Sequence, residues 1–201
     1  MRARSLVLAC LLVGLSACRP VAPKYDYGRE PDPRKAEYVL GIGDQLGINV
    51  WENAALSTDA LIRPDGTITM PLVGDLKAAG ETPSTLKAAI KERLVDFVKL
   101  PGGGNEITVA VKSANSYRIT VSGEVAHPGV FGSDHYISVA EAVALAGGFT
   151  RFAKRNSMTL QRRDAKTGAV RMIPLAYDFL VDGSHPEMNL TLIGGDSLFV
   201  P

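Results

Sequence analysis

The sequence predicts an α+β protein built from two small sheets, each carrying one helix. Three observations predict it. Short runs such as "INV", "ITVAV" and "YRITV" alternate apolar and polar residues with the period of two that marks strands. Two segments begin with helix-capping chemistry, at Thr82-Pro83 and at Ser138 with Glu141 three residues on. A Gly-Asp turn occurs twice before a strand-like run, as Gly41-Ile42-Gly43-Asp44 before "QLGINV" and as Gly194-Gly195-Asp196 before "SLFV".

Taken in order, Ile48 and Val50 begin the first strand. Pro64-Asp65-Gly66 is strong turn chemistry, since Pro presets φ and Gly takes a positive φ; flanking strands are expected at 60–63 and 67–70. A helix follows over 83–98, with Leu86, Ile90, Leu94, Phe97 and Val98 on one face. The glycine loop at 100–105 ends it. Ile107, Val109 and Val111 share one strand face, and Tyr117, Ile119 and Val121 another. The short helix after Ser138 stops at Gly147 or Gly148. A second hairpin turns around 164–168, and "LTLIGGDSLFVP" closes the chain as a strand pair or sheet edge. The domain boundary falls between residues 113 and 116, giving domains at 37–115 and 116–201.

The beginning of the chain reads as an export signal. Arg2 and Arg4 precede an apolar run at 5–15, too short to span a bilayer, which takes about 20 residues. The run closes on Leu15-Ser16-Ala17-Cys18, which resembles a bacterial lipobox. That resemblance implies cleavage between Ala17 and Cys18 and a diacylglyceryl thioether on Cys18; an ordinary signal peptide with a chance cysteine is the alternative. Of the two cysteines, Cys10 lies in the discarded run, so Cys18 is the only mature thiol and no disulfide is expected. Residues 1–17 are then the signal, and 18–36, rich in Pro and charge, reads as a tether.

Net charge is +1 and aromatics make up 6% of the chain, so neither electrostatics nor stacking suggests a nucleic-acid partner. His127, His135 and His185 lack metal-ligand spacing, and no cofactor motif is present. There is no Gly-x-Ser-x-Gly elbow, and acid pairs among 21 acids establish no glycosidase. The chain is expected to be no enzyme. Asp44, Asp65, Asp75 and Asp196 read as turn residues; a phosphate cradle would need a helix after the glycines, where strands follow. Arg151, Lys154, Arg155, Arg162 and Arg163 form the densest basic region. It reads as a solvated face, with Arg151, Lys154 and Arg155 as candidates for polymer contact. Trp51 reads as core or interface, or as a stacking surface for a sugar.

The runs "YVLGIGDQLGINVWE", "IRPDGTITMPLVGDLKAAGETPSTLKAAI" and "ITVAVKSANSYRITVSGEVAHPGVF" resemble the polysaccharide export domain of Wza-type outer-membrane exporters. "SVAEAVALAGGFTRFAKRNSMTLQRR", with the terminal "LIGGDSLFVP", is similar to the SLBB β-grasp domain that follows it in that family. Ile42 stands where the family often has proline. The resemblance implies a ring, commonly octameric, that conducts a capsule or exopolysaccharide through the periplasm without covalent chemistry. It also implies an inner-membrane polysaccharide co-polymerase below. The family's long members add an amphipathic pore helix; a chain stopping at Pro201 is expected to lack it. It would then lie at the periplasmic side of the outer membrane, held by Cys18, and dock to a separate β-barrel. A lipid-anchored glycan- or ligand-binding module is the alternative.

Overall fold

The computed structural model describes residues 21–98, 106–164 and 167–201. Ala17, Cys18, the 100–105 loop and part of the 164–168 turn lie outside the described residues.

The first domain holds strands β1 (Gln45–Val50), β2 (Thr58–Leu61), β3 (Thr67–Met70) and β4 (Gly74–Lys77), helix α1 (Pro83–Leu94) and strand β5 (Ile107–Ser113). β2, β1 and β5 form an antiparallel sheet in that order. Alternation along β1 turns Leu46, Ile48 and Val50 into the core. α1 lays Leu86, Ile90 and Leu94, one turn apart each, against the same cluster. Burying each such side chain contributes about 1.5–3 kcal/mol. The helix starts as its sequence dictates. Thr82 Oγ1 accepts from the Thr85 N–H, Thr85 Oγ1 accepts from the Thr82 N–H, and Pro83 occupies the first turn.

Two expectations for this domain change. The Pro64-Asp65-Gly66 turn is present, with Gly66 at φ +77° and the Arg63 N–H bonded across it to the Thr67 carbonyl at 2.9 Å, but β2 and β3 form no ladder. β3 pairs with β4, where buried Ile68 faces buried Leu76, and β2 joins β1. Beyond β2, Ile62 bonds back to Gly43 and Asp44. The helix also ends at Leu94 rather than at 98. The Phe97 and Val98 N–H groups both bond to the Leu94 carbonyl, and Phe97 is left exposed.

The second domain holds β6 (Arg118–Gly123), β7 (Gly129–Gly132), α2 (Val139–Leu145), β8 (Met158–Arg163), β9 (Val170–Leu175), α3 (Tyr177–Val181) and β10 (Ser197–Val200). The strand order is β7-β6-β10-β8-β9. α2 carries the expected capping box, Ser138 with Glu141, and buries Val139, Ala142 and Val143 against Ile119, Leu160 and Leu198. The C-terminal strand is not an edge. β10 lies parallel to β6 and antiparallel to β8, with Leu198 and Val200 buried between them. α3 is not expected from the sequence, since Ala176 at its N-cap offers no capping side chain. The architecture is therefore α+β, with a helix-backed sheet and a separate two-stranded β3-β4 sheet in the first domain, where a single sheet is expected from the sequence, followed by a β-grasp sheet.

Where composition reads as a tether, the chain packs. Tyr27 is buried in the second domain's core, and its hydroxyl donates to the Pro174 carbonyl at 2.6 Å. Glu30 is buried too. Proline and charge describe a chain that makes no regular structure; they do not say whether its few apolar and acidic side chains find partners.

Candidate functional site

The two Gly-Asp turns are the same device used twice. In the first, the Asp44 N–H bonds to the Gly41 carbonyl at 3.2 Å while Asp44 Oδ2 accepts from the Gly41 N–H at 2.8 Å. In the second, the Asp196 N–H bonds to the Ile193 carbonyl at 3.1 Å while Asp196 Oδ2 accepts from the Ile193 N–H at 2.9 Å. Each turn needs a left-handed residue just before its aspartate: Gly43 sits at φ +91° and Gly195 at φ +89°. Both aspartates are buried, so the remaining lone pairs of each must also be satisfied.

What satisfies them differs. Asp44 reaches into the segment joining the domains. It accepts from the Ser116 N–H at 2.7 Å, from Ser116 Oγ at 2.9 Å and from the Tyr38 hydroxyl at 2.9 Å. Asn115 Nδ2 adds a bond to the Gly43 carbonyl at 3.0 Å. Burial pushes the Tyr38 hydroxyl well above the usual tyrosine range, so it stays a donor. Gly41 has no room for a side chain, because a Cβ there would lie 2.4 Å from Ser116 Cβ and Oγ. Across the same segment, Gly194 lies close to the Ser116 carbonyl and Tyr117. The connection between domains is thus clasped by both turns, one from each domain.

Asp196 instead meets Arg162. Arg162 Nε lies 3.1 and 3.2 Å from the two carboxylate oxygens and Nη2 lies 2.7 Å from Oδ2. Arg162 also donates to Glu30 Oε2 at 3.2 Å and to the Thr191 carbonyl at 2.9 Å. Glu30 Oε1 takes bonds from Arg171 at 3.0 Å and from the Tyr25 hydroxyl at 2.6 Å. Burial pushes the Asp196 carboxyl up against the pull of the Arg162 guanidinium. This cluster fastens residues 25–30 to the second sheet.

The solvated-face reading of the basic region is corrected at Arg162, whose relative exposure is 0%. Arg151, Lys154, Arg155 and Arg163 are exposed, with Arg155 paired to Asp178 at 2.9 Å and Arg151 stacked on Phe152. Among the described residues, the Arg151 and Lys154 side chains make no hydrogen bond or ion pair. Asp65 and Asp75 share Arg63 on the surface, at 3.1 and 3.0 Å. The Thr67 hydroxyl and N–H, with Arg63, hold the Asp65 carboxyl down at about 2. Pro64, Asp65 and Gly66 form a turn whose Gly66 carbonyl accepts from the Ala78 and Ala79 N–H groups at 3.0 Å. Among the described residues no group of three or more His, Cys, Asp or Glu side chains is placed to hold a metal. No helix among them is long and apolar enough to cross a membrane.

Between the domains, above the clasp, lies a groove of about 740 Å³. Pro31, Pro33, Val39, Ile42, Tyr136 and Ile193 line it, and Val39 and Ile42 are more than half exposed. Sequence reasoning reads the two turns as punctuation and misses Ser116, Tyr38 and Arg162 as the partners of their aspartates, and Glu30 as a further partner of Arg162. For Arg162 a signal existed: it shares alternation with the buried Met158 and Leu160.

A helix-backed sheet joined through paired Gly-Asp turns to a β-grasp sheet defines a two-domain α+β chain. Residues 32–112 match the family of polysaccharide biosynthesis/export proteins, and residues 118–175 match the SLBB domain. The chain is 34% identical over 128 residues to the exopolysaccharide production protein ExoF of Rhizobium meliloti, covering 59% of this chain and 30% of ExoF. It is 30% identical over 183 residues to the EPS I polysaccharide export outer membrane protein EpsA of Ralstonia nicotianae, covering 79% and 46%. Over 185 residues it is 29% identical to the capsule polysaccharide export outer membrane protein CtrA of Neisseria meningitidis, covering 78% and 42%. The chain belongs to the outer-membrane polysaccharide exporter family. It spans less than half the length of these curated relatives.

Proposed function

We propose that this protein is a subunit of a conduit that carries capsule polysaccharide or exopolysaccharide through the periplasm. The observation that carries the reading is the clasp at Ser116. It ties the start of the second domain to the first through a buried carboxylate with four hydrogen-bonded donors. A ring that keeps an open lumen needs rigid subunits, because angular play at each joint accumulates around the ring. It also needs two unlike faces that meet head to tail and close by rotation. Separate apolar patches support this: Val39 and Ile42 in the groove, and Val95 and Phe97 beyond the end of α1. The ring is octameric by family resemblance.

In this reading Cys18 carries the diacylglyceryl anchor after cleavage at Ala17, and residues 116–201 form the β-grasp domain. The anchor holds the ring at the periplasmic side of the outer membrane. A separate β-barrel continues the path outward, and an inner-membrane co-polymerase feeds it from below. Electron microscopy of the full chain in detergent should show closed rings, and Cys18→Ser should move the protein out of the membrane fraction. A null strain that secretes its polymer normally would refute the export role.

A further inference from the structure

Resting on that export reading, we propose that the outward face of the β2-β1-β5 sheet is a glycan-contact shelf. It takes a short stretch of polyhydroxylated polymer lying across Gly47 toward the indole of Trp51. The face is hollowed by a groove of about 640 Å³ whose lining includes Gly47, Asn49, Asp59, Thr108 and Lys112. The same alternation that buries Leu46, Ile48 and Val50 turns residues 45, 47 and 49 outward. The register sets Gly47 between Asp59 and Ala110, and Asn49 beside Thr108. With no side chain at Gly47, Lys112 crosses the strand and its Nζ sits 2.5 and 2.6 Å from the two Asp59 oxygens. A Cβ at position 47 would come within 2.7 Å of Lys112 Cε.

The chemistry of this floor is that of a sugar partner. Among the described residues, the Asn49 amide and the Thr108 hydroxyl have no side-chain hydrogen bond. They present unpaired donors and acceptors side by side, flanked by one ammonium and one carboxylate. Glycan hydroxyls need both senses. Trp51 extends the β1 ladder by one bond, from its N–H to the Glu106 carbonyl at 2.7 Å, and is 59% exposed. Two residues beyond Asn49, in the turn that follows β1, its indole offers a flat apolar surface to the C–H face of a pyranose ring. From Gly47 to Trp51, one residue past the end of β1, the chain spans about 13 Å, room for a short oligosaccharide. An open, shallow floor holds a chain weakly, as a polymer in transit requires.

Trp51 is the sole tryptophan, so tryptophan emission reads the end of β1 beside Asn49. The full chain in detergent is titrated with short oligosaccharides made by partial hydrolysis of the exported polymer. A saturable change in emission is expected. Asn49→Ala should weaken it about three- to tenfold, the value of one lost hydrogen bond. Gly47→Val, which fills the floor, should weaken it at least as much, with melting curves showing that both variants fold. If Gly47→Val does not fold, Thr108→Val on the opposite strand replaces it. Emission unmoved by oligosaccharide, or unchanged affinity in the variants, overturns the shelf. So does an emission change on dilution without sugar, which assigns the face to a second copy of this chain. Loss of secretion in a null strain beside a flat titration refutes the shelf alone. Saturable binding beside normal secretion refutes the export role and leaves a glycan site.

Discussion

Glu30→Ala tests whether residues 25–30 belong to the fold or merely connect it to the membrane. The Glu30 carboxylate has no exposed surface and accepts from Arg162, Arg171 and the Tyr25 hydroxyl. Removing it leaves one guanidinium nitrogen of each arginine facing an empty site. Breaking a buried ion pair from one side costs about 3–5 kcal/mol. Arg162 keeps Asp196 and the Thr191 carbonyl, so the loss belongs at the lower end, about 3 kcal/mol. For a chain of this size that lowers the melting temperature by about 6–12 °C. Far-UV circular dichroism follows both domains, whereas Trp51 emission follows the first, so the loss should fall on the transition that Trp51 does not report. Arg162→Ala should cost more, because it strips Asp196 of its cation and Glu30 of one partner together. A shift under about 2 °C for Glu30→Ala, or equal stability after deleting residues 21–35, would refute the reasoning.

Other expectations follow from the same geometry. Asp44→Asn should destabilise nearly as much as Asp44→Ala, about 2–3 kcal/mol, because an amide NH₂ would face donors on all sides; chemical denaturation and protease cleavage at 114–117 check it. Asp65 is held down at about 2 by Thr67 and Arg63. Its stabilisation is therefore complete above the unfolded value near 3.9 and is lost as pH falls toward 2, a decline that Asp65→Asn should lack in melting curves. Burial pushes the Tyr27 hydroxyl up to about 12, so the fold favours the neutral form. Stability should fall as pH rises from about 10 to 12, and Tyr27→Phe should make that slope shallower, with Tyr38 and the other raised tyrosines keeping the rest, while losing the bond to Pro174.

Several features were legible in the residues because their causes are local. Capping at Thr82 and Ser138 depends on side chains three residues apart, and both helices start where those side chains say. The Gly-Asp turns close on bonds between an aspartate and the residue three before it, so their shape also follows from short stretches of chain. Period-two patterning marked most strands, and read more strictly it would have turned Arg162 inward with Met158 and Leu160.

Partner choice was decided only in three dimensions. Thr67–Met70 could pair with either neighbour, and the burial of Ile68 against Leu76 chose β4. The last strand carried no signal that it would lie beside β6, dozens of residues earlier. Nor could local composition show that one aspartate would meet Ser116 and its near copy Arg162. A turn is set by bonds within itself, but a buried carboxylate's free lone pairs are satisfied by whatever the packed chain brings within 3 Å, and that is a property of the whole fold.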